Sequence, residues 1–143
     1  MDGAISVTKC SRCKLPSIVH QPYSGQHLCG RHLSDSVRRR TSRELRRQLS
    51  LPKDARKENG SPFVVLVAVS GGKDSAVLLT MIKDIIGSRR DIRIVAGCVD
   101  EGIDGYRSPS LECARELSED LGVDFVTLSY EEMGYDRMDK VVS

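Results

Sequence analysis

Long apolar runs are absent from this chain. No stretch of its 143 residues approaches the roughly 20 apolar residues that a bilayer-spanning helix needs. The first ten residues, MDGAISVTKC, lack a basic region followed by an apolar core, so no secretory signal is expected and the chain reads as cytoplasmic, with no membrane partner. An even set of cysteines is also missing. There are five, Cys10, Cys13, Cys29, Cys98 and Cys113, and an odd number in a cytosolic setting argues against a disulfide framework. Internal repeats and low-complexity tracts are absent too. What remains, 39% hydrophobic and 29% charged residues, is the composition of a globular protein of one ordinary domain, or a small domain plus a modest one.

The net charge of +2 conceals an asymmetry: residues 1–60 carry 13 Lys and Arg against 5 Asp and Glu, and residues 61–143 carry 9 against 15. The first part suits a polyanionic partner. The second must hold any phosphate through local geometry. Three segments follow: a knuckle over 1–33, a basic helix and linker over 34–61, and an α/β portion over 62–143. In the helix, Leu33, Val37, Leu45 and Leu49 fall on one i, i+4 seam interrupted by Thr41, while Arg38, Arg39, Arg40, Arg43, Arg46 and Arg47 surround it. That pattern fits either a solvated helix or one that faces RNA. PKDARKENGSP, residues 52–62, is a linker by composition.

Beyond the linker the pattern becomes regular. Phe63–Val69 predicts a strand. Lys73–Ile86 predicts a helix, with Val77, Leu78, Met81, Ile82 and Ile85 inward and Gly87 at its C-terminal cap. Ile92–Val99 predicts a second strand. Ser108 and Pro109 open a second helix through Leu111, Ala114, Leu117 and Leu121, which Gly122 ends. Val123–Leu128 predicts a third strand, and the residues after Ser129 look like the start of a helix. Strand, helix, strand, helix, strand is half of an α/β, Rossmann-like, three-layer fold. Continuous apolar strands predict a parallel sheet covered on both faces, and three strands are few, so the domain is expected to be incomplete.

The first strand runs into VVLVAVSGGKDS, residues 64–75. A parallel strand feeding a helix leaves free N–H groups at the helix start, a positive concavity at the carboxyl edge of the sheet. Gly71 and Gly72 let backbone approach phosphate oxygens, Ser70 and Ser75 add hydroxyls, and Lys73 adds a mobile charge. A Walker loop is excluded, because Val67 stands at its first glycine and Asp74 follows Lys73; G-x-G-x-x-G is absent as well. Asp74 in an anion nest suggests Mg2+ or a strong hydrogen-bonding role. Ser70-Gly71-Gly72-Lys73-Asp74-Ser75 matches in full the SGGxDS signature and resembles the PP-loop of the ATP pyrophosphatase superfamily. The resemblance implies a PP-loop, adenine nucleotide alpha hydrolase-like fold. It also implies ATP on this loop, with the backbones of Ala68 and Val99 along the adenosine. Asp100, after the second strand, is a weak candidate for metal or substrate. Cys98 is expected to be a small buried residue, and Cys113 a helix residue.

Residues 10–32, CSRCKLPSIVHQPYSGQHLCGRH, hold C-x2-C, fifteen residues, then C-x2-H. Cys10, Cys13, Cys29 and His32 supply three sulfurs and one imidazole, the donor set of a closed, structural Zn2+ site. Such a site stabilises a segment too small for its own core. His20 and His27 are competing ligands in a less regular arrangement.

A knuckle, a basic helix and a PP-loop domain in that order resemble the tRNA 2-thiolation enzymes, which make 2-thiouridine and include the cytosolic and archaeal tRNA thiolases. YSGQHLC and DEGIDGYR fit that family as well. The resemblance spans residues 10–135 and implies Zn2+, ATP and Mg2+ as cofactors. It implies tRNA as substrate, and a sulfur-carrier protein or other donor. The implied chemistry is adenylation of a uridine 2-oxygen followed by replacement of AMP by sulfur. The family's further CxxC and third cysteine are not matched here, so an iron–sulfur cluster is expected only in a full-length form. This portion, inactive alone, would need a completing chain or a homodimer. The rival expectations are a non-catalytic, zinc-stabilised nucleotide- or RNA-binding module, and another PP-loop adenylating ligase.

Overall fold

The structure is a computed structural model that describes residues 6–102 and 109–134. The chain forms two compact units, Met1–Ser50 and Leu51–Ser143.

In the first unit, two short antiparallel strands, β1 (Val19–Gln21) and β2 (Gln26–Leu28), pair Val19 with Leu28 and His20 with His27. Helix α1 (Gly30–Leu49) follows directly. The knuckle is tied to the hairpin by Ser11 N–H donating to His27 O at 2.7 Å and Ile18 N–H to Leu28 O at 2.8 Å. Leu28, Cys10 and Cys29 are buried, and Cys13, Val19 and Leu33 pack against them. A core this small cannot hold a 50-residue unit by apolar burial alone. The seam of α1 is narrow: Leu33, Val37 and Leu45 are half-buried and Ser36 is buried, whereas Leu49 is exposed, so the expected stripe stops one turn early. Arg46 and Arg47 lie in the last turn of α1, where cations complement the helix dipole.

In the second unit, β3 (Phe63–Ala68), α2 (Lys73–Ile86), β4 (Ile92–Asp100), α3 (Pro109–Asp120) and β5 (Asp124–Ser129) form a parallel sheet of order β3-β4-β5. The elements match the sequence pattern to within a residue or two at the ends. Gly122 ends α3 as expected: its φ is +65°, and Val123 N–H donates back to Ser118 O at 2.8 Å, a left-handed C-terminal cap. Residues 130–134 form a turn rather than the start of a helix. Ser108 lies outside the described residues.

Two expectations are corrected. The buried face of α2 is Leu79, Ile82 and Ile86, while Val77 and Leu78 are exposed. The sheet is also covered on one face only among the described residues. The strands lie in chain order and run parallel, so crossovers of the right-handed kind that is the rule for parallel strands place both helices on the same side. Ile92, Ile94, Ala96, Cys98 and Val67 are buried on that side, where Phe63 at the edge is exposed; on the other, Val64, Leu66, Val99, Val126 and Leu128 are exposed and Val95, in the central strand, is buried. Leu66, 64% exposed, lies beside Gly97 at the centre of the uncovered face.

The composition-defined linker is locally anchored. Asp91, buried just before β4, accepts Ala55 N–H at 2.7 Å and the Arg89 guanidinium at 2.6 Å, and Arg89 also donates to Pro52 O at 2.7 Å. The guanidinium, then the Ala55 amide, hold the Asp91 carboxyl well below the usual carboxylate range.

Candidate functional site

The loop between β3 and α2 is ordered by its own short side chains. Ser70 N–H donates to Ser75 Oγ at 3.1 Å, Gly72 N–H to Ser70 Oγ at 3.3 Å, and Ser75 Oγ–H to Gly72 O at 3.1 Å. Gly71 has φ +83°, and a Cβ there would run into the backbone of Ser110 in the first turn of α3. Glycine is therefore required twice over, for the left-handed backbone and for the close approach. Gly72 caps α2 with extended backbone, and the first intrahelical bond is Ala76 N–H to Gly72 O at 3.1 Å. The amides of Lys73, Asp74 and Ser75 precede that bond, so the positive end of the helix points out of the loop.

A cavity of about 500 Å³ opens at the carboxyl edge of the sheet beside this loop. Its lining includes Ala68, Ser70, Ser75, Val99 and Asp100, five residues singled out from the sequence. Gly97, Gly102 and Ser110 also line it, and sequence reasoning missed them. Gly97 is paired with Ala68 across the sheet, a register visible only once the strands are aligned; Ser110 is brought in by the fold alone. Gly71, Gly72, Lys73 and Asp74 do not line the cavity; Gly71 and Gly72 border a smaller hollow of about 140 Å³ between the loop and α3. Lys73 and Asp74 pair with each other at 3.0 Å with side chains 88% and 91% exposed. Asp100 accepts Gly102 N–H at 3.0 Å. Cys98 is buried as expected, and burial, then the charges of Asp100 and Glu101, push its thiol up. Cys113 is on α3 and exposed.

The knuckle brings together the predicted ligands: the donor atoms of Cys10, Cys13, Cys29 and His32 all lie within 4.8 Å of one another. Cys13 Sγ is 3.7 Å from Cys29 Sγ, and His32 Nδ1 is 3.4 Å from Cys10 Sγ and 3.3 Å from Cys29 Sγ. A tetrahedral ion with metal–sulfur bonds of about 2.3 Å and metal–nitrogen bonds of about 2.0–2.1 Å requires donor–donor edges of about 3.5–3.8 Å. The group therefore fits such an ion with little movement. Burial pushes the Cys10 thiol up, but the amides of Arg12 and Cys29 and the Cys13 thiol outweigh it and bring Cys10 to about 6. His20 and His27 are not part of the group; their rings stack on each other at 4.4 Å across the hairpin.

Residues 9–34 match the family described as "2-thiouridine synthetase TtuA, N-terminal LIM domain". Over 134 residues the chain is 40% identical to the tRNA 2-thiolation protein NcsA of Haloferax volcanii, a match covering 94% of this chain and 41% of that protein. It superimposes on the U34-tRNA thiolase NcsA of Methanococcus maripaludis, solved with its [4Fe-4S] cluster, with a TM-score of 0.71 and 28% identity over 94% of this chain and 42% of that one. The chain is thus similar, over nearly its whole length, to tRNA 2-thiolation proteins of the PP-loop type. It spans about two fifths of the length of these relatives. A shorter match, 43% identity over 81 residues, joins it to cytoplasmic tRNA 2-thiolation protein 1 of Drosophila pseudoobscura pseudoobscura, covering 55% of this chain and 23% of that protein. The NH3-dependent NAD synthetase of Campylobacter jejuni shares the fold alone, with 18% identity and a TM-score of 0.50 over 76% of this chain and 40% of that one. Cys10, Cys13, Cys29 and His32 form a metal-binding group in the unit that precedes a PP-loop-type fold. No helix among the described residues is long and apolar enough to cross a membrane.

Proposed function

We propose that this chain is the nucleotide-binding portion of a cytoplasmic, ATP-dependent tRNA 2-thiolation enzyme. The observation that carries this reading is the loop at the mouth of β3: left-handed at Gly71, packed on α3, and presenting Ser70 and Ser75 to a cavity at the carboxyl edge of a parallel sheet. The cavity lies within the range of about 300–1,000 Å³ usual for small-molecule sites. The first-turn amides of α2 and the hydroxyls of Ser70 and Ser75 hold the phosphates of ATP, with Lys73 swinging in from solvent. Ala68 and Val99 flank the adenosine. Asp74 and, more weakly, Asp100 are the carboxylates for Mg2+. The substrate uridine 2-oxygen bonds to the α-phosphorus as pyrophosphate leaves. A sulfur donor then bonds to C2, and AMP departs with the oxygen. Zn2+ on Cys10, Cys13, Cys29 and His32 holds the first unit together and has no chemical step.

Sulfur transfer is not assigned to this chain. Its cysteines outside the metal group, Cys98 and Cys113, make no CxxC, and we assign the family's sulfur chemistry and iron–sulfur cluster to a full-length form. The test is titration of the purified chain with ATP and Mg2+, followed by pyrophosphate exchange with unmodified tRNA. Saturable ATP binding is expected, and its absence overturns the proposal. A second reading, a zinc-stabilised RNA-binding module without catalysis, is favoured by the basic residues of α1. Steeply salt-dependent tRNA binding with no AMP release would select it.

A further inference from the structure

The first unit displays an aromatic ring that its core does not use. Tyr23 stands in the loop joining β1 to β2 and is 64% exposed. The Arg40 guanidinium carbon sits 4.6 Å from its ring centroid, so a cation from α1 holds the ring in place. At about 100° per residue along α1, Arg39, Arg40, Arg43 and Arg47 share one sector of roughly 100° with His32 and Ser36. The first turns of that sector carry a ligand of the metal group and a buried serine. The later turns carry only the basic strip, which begins where the knuckle ends. Glu44 engages Arg47 at 2.7 Å; among the described residues neither Arg39 nor Arg43 pairs with a carboxylate. Arg39 also borders a hollow of about 430 Å³ with Arg12, Arg38, Asp35 and His32. Arg12 reaches that hollow from the knuckle and bonds Gln26 Oε1 of β2 at 3.1 Å.

We propose that Tyr23 is a stacking platform for an unpaired nucleobase of RNA, and that Arg12, Arg39 and Arg43 take the phosphates on either side of it. An exposed ring fixed beside a cationic track is the arrangement that binds single strands: the face of the ring is sequence-tolerant and the arginines follow the backbone. A continuous duplex offers it no unstacked base. The inference deepens the tRNA reading above by naming the surface and the kind of nucleotide it takes.

The test uses the full metal-loaded chain and two probes, an unmodified tRNA transcript and a blunt RNA duplex of equal charge, titrated over a salt series. Tyr23→Phe should bind tRNA as the parent does. Tyr23→Ala should weaken tRNA binding about 5- to 100-fold at every salt concentration, leave the slope of log K against log salt unchanged, and leave duplex binding unchanged. Arg43→Gln should lower that slope by about 0.7–0.9. Retained metal content shows that each variant is folded. Wild-type tRNA affinity in Tyr23→Ala, or equal losses on tRNA and duplex, overturns the inference. ATP titration of the same variants separates the two readings: lost ATP binding in the parent sinks the enzymatic proposal, while a selective Tyr23 effect stands without it.

Discussion

Replacing Gly71 by alanine adds one methyl group where the chain has no room for it, and Gly60 supplies the control. Both have left-handed backbone, φ +83° at Gly71 and +80° at Gly60. A Cβ at Gly60 meets nothing within 4 Å, whereas one at Gly71 overlaps the backbone of Ser110. Left-handed backbone costs an L residue roughly 1–2 kcal/mol, of which about 0.4–1 kcal/mol is returned by the stiffer unfolded chain. Gly60→Ala should therefore destabilise by about 1 kcal/mol. At Gly71 the overlap is with main chain, which cannot rotate away. Overpacking of that kind adds about 1–3 kcal/mol, for a total near 2–4 kcal/mol. For a unit of this size about 1 kcal/mol moves Tm by roughly 4–8 °C, so Gly60→Ala should lose about 5 °C and Gly71→Ala about 10 °C or more. Thermal unfolding by far-UV circular dichroism gives both shifts, and ATP titration of the same samples should show affinity lost in Gly71→Ala and kept in Gly60→Ala. Equal shifts, with ATP affinity intact in both, would refute the contact between the loop and α3 as the reason for glycine at this position.

Cys10→Ser should lower bound zinc, measured by metal analysis, from one ion per chain towards none, and should unfold residues 1–50 in NMR spectra while the sheet signals persist. Asp91→Asn should flatten the acid limb of the stability curve. Its folded pKa lies below the unfolded value of about 3.9, so its contribution is complete above about pH 5 and is lost as pH falls below about 4. Urea midpoints compared between pH 6 and pH 3 report this, and parallel curves for variant and parent would count against the Arg89–Asp91–Ala55 anchor. Leu66→Ser with Val126→Ser should reduce concentration-dependent light scattering, because both side chains lie on the uncovered sheet face. Tm should move by less than about 2 °C, since exposed positions contribute little to stability.

Much of this protein could be read before any coordinates. The α2 boundaries, the order of the five sheet-domain elements and the grouping of Cys10, Cys13, Cys29 and His32 all follow from residues near one another in sequence. Apolar period, glycine caps and short cysteine spacings are local properties. The errors have a common cause. Val77 and Leu78 lie on an apolar face of α2, but periodicity does not report how wide a strip β4 covers, and both remain exposed. The linker over 52–62 reads as polar and unstructured, yet Arg89 and Asp91 capture Pro52 and Ala55 from more than 30 residues away.

Local residue order was enough to place a glycine turn at a helix start after a strand, and to show that four sulfur and nitrogen donors could close on one ion. Short-range sterics and ligand chemistry dictate both. It took the folded chain to show that Ser110 presses on Gly71, that Gly97 and Gly102 join the cavity, that one face of the sheet is uncovered among the described residues and that Tyr23 lies against Arg40. Those contacts depend on how the crossovers wind and how the hairpin folds over α1. No single segment carries them, because each is made by two surfaces whose meeting is fixed by everything packed between them.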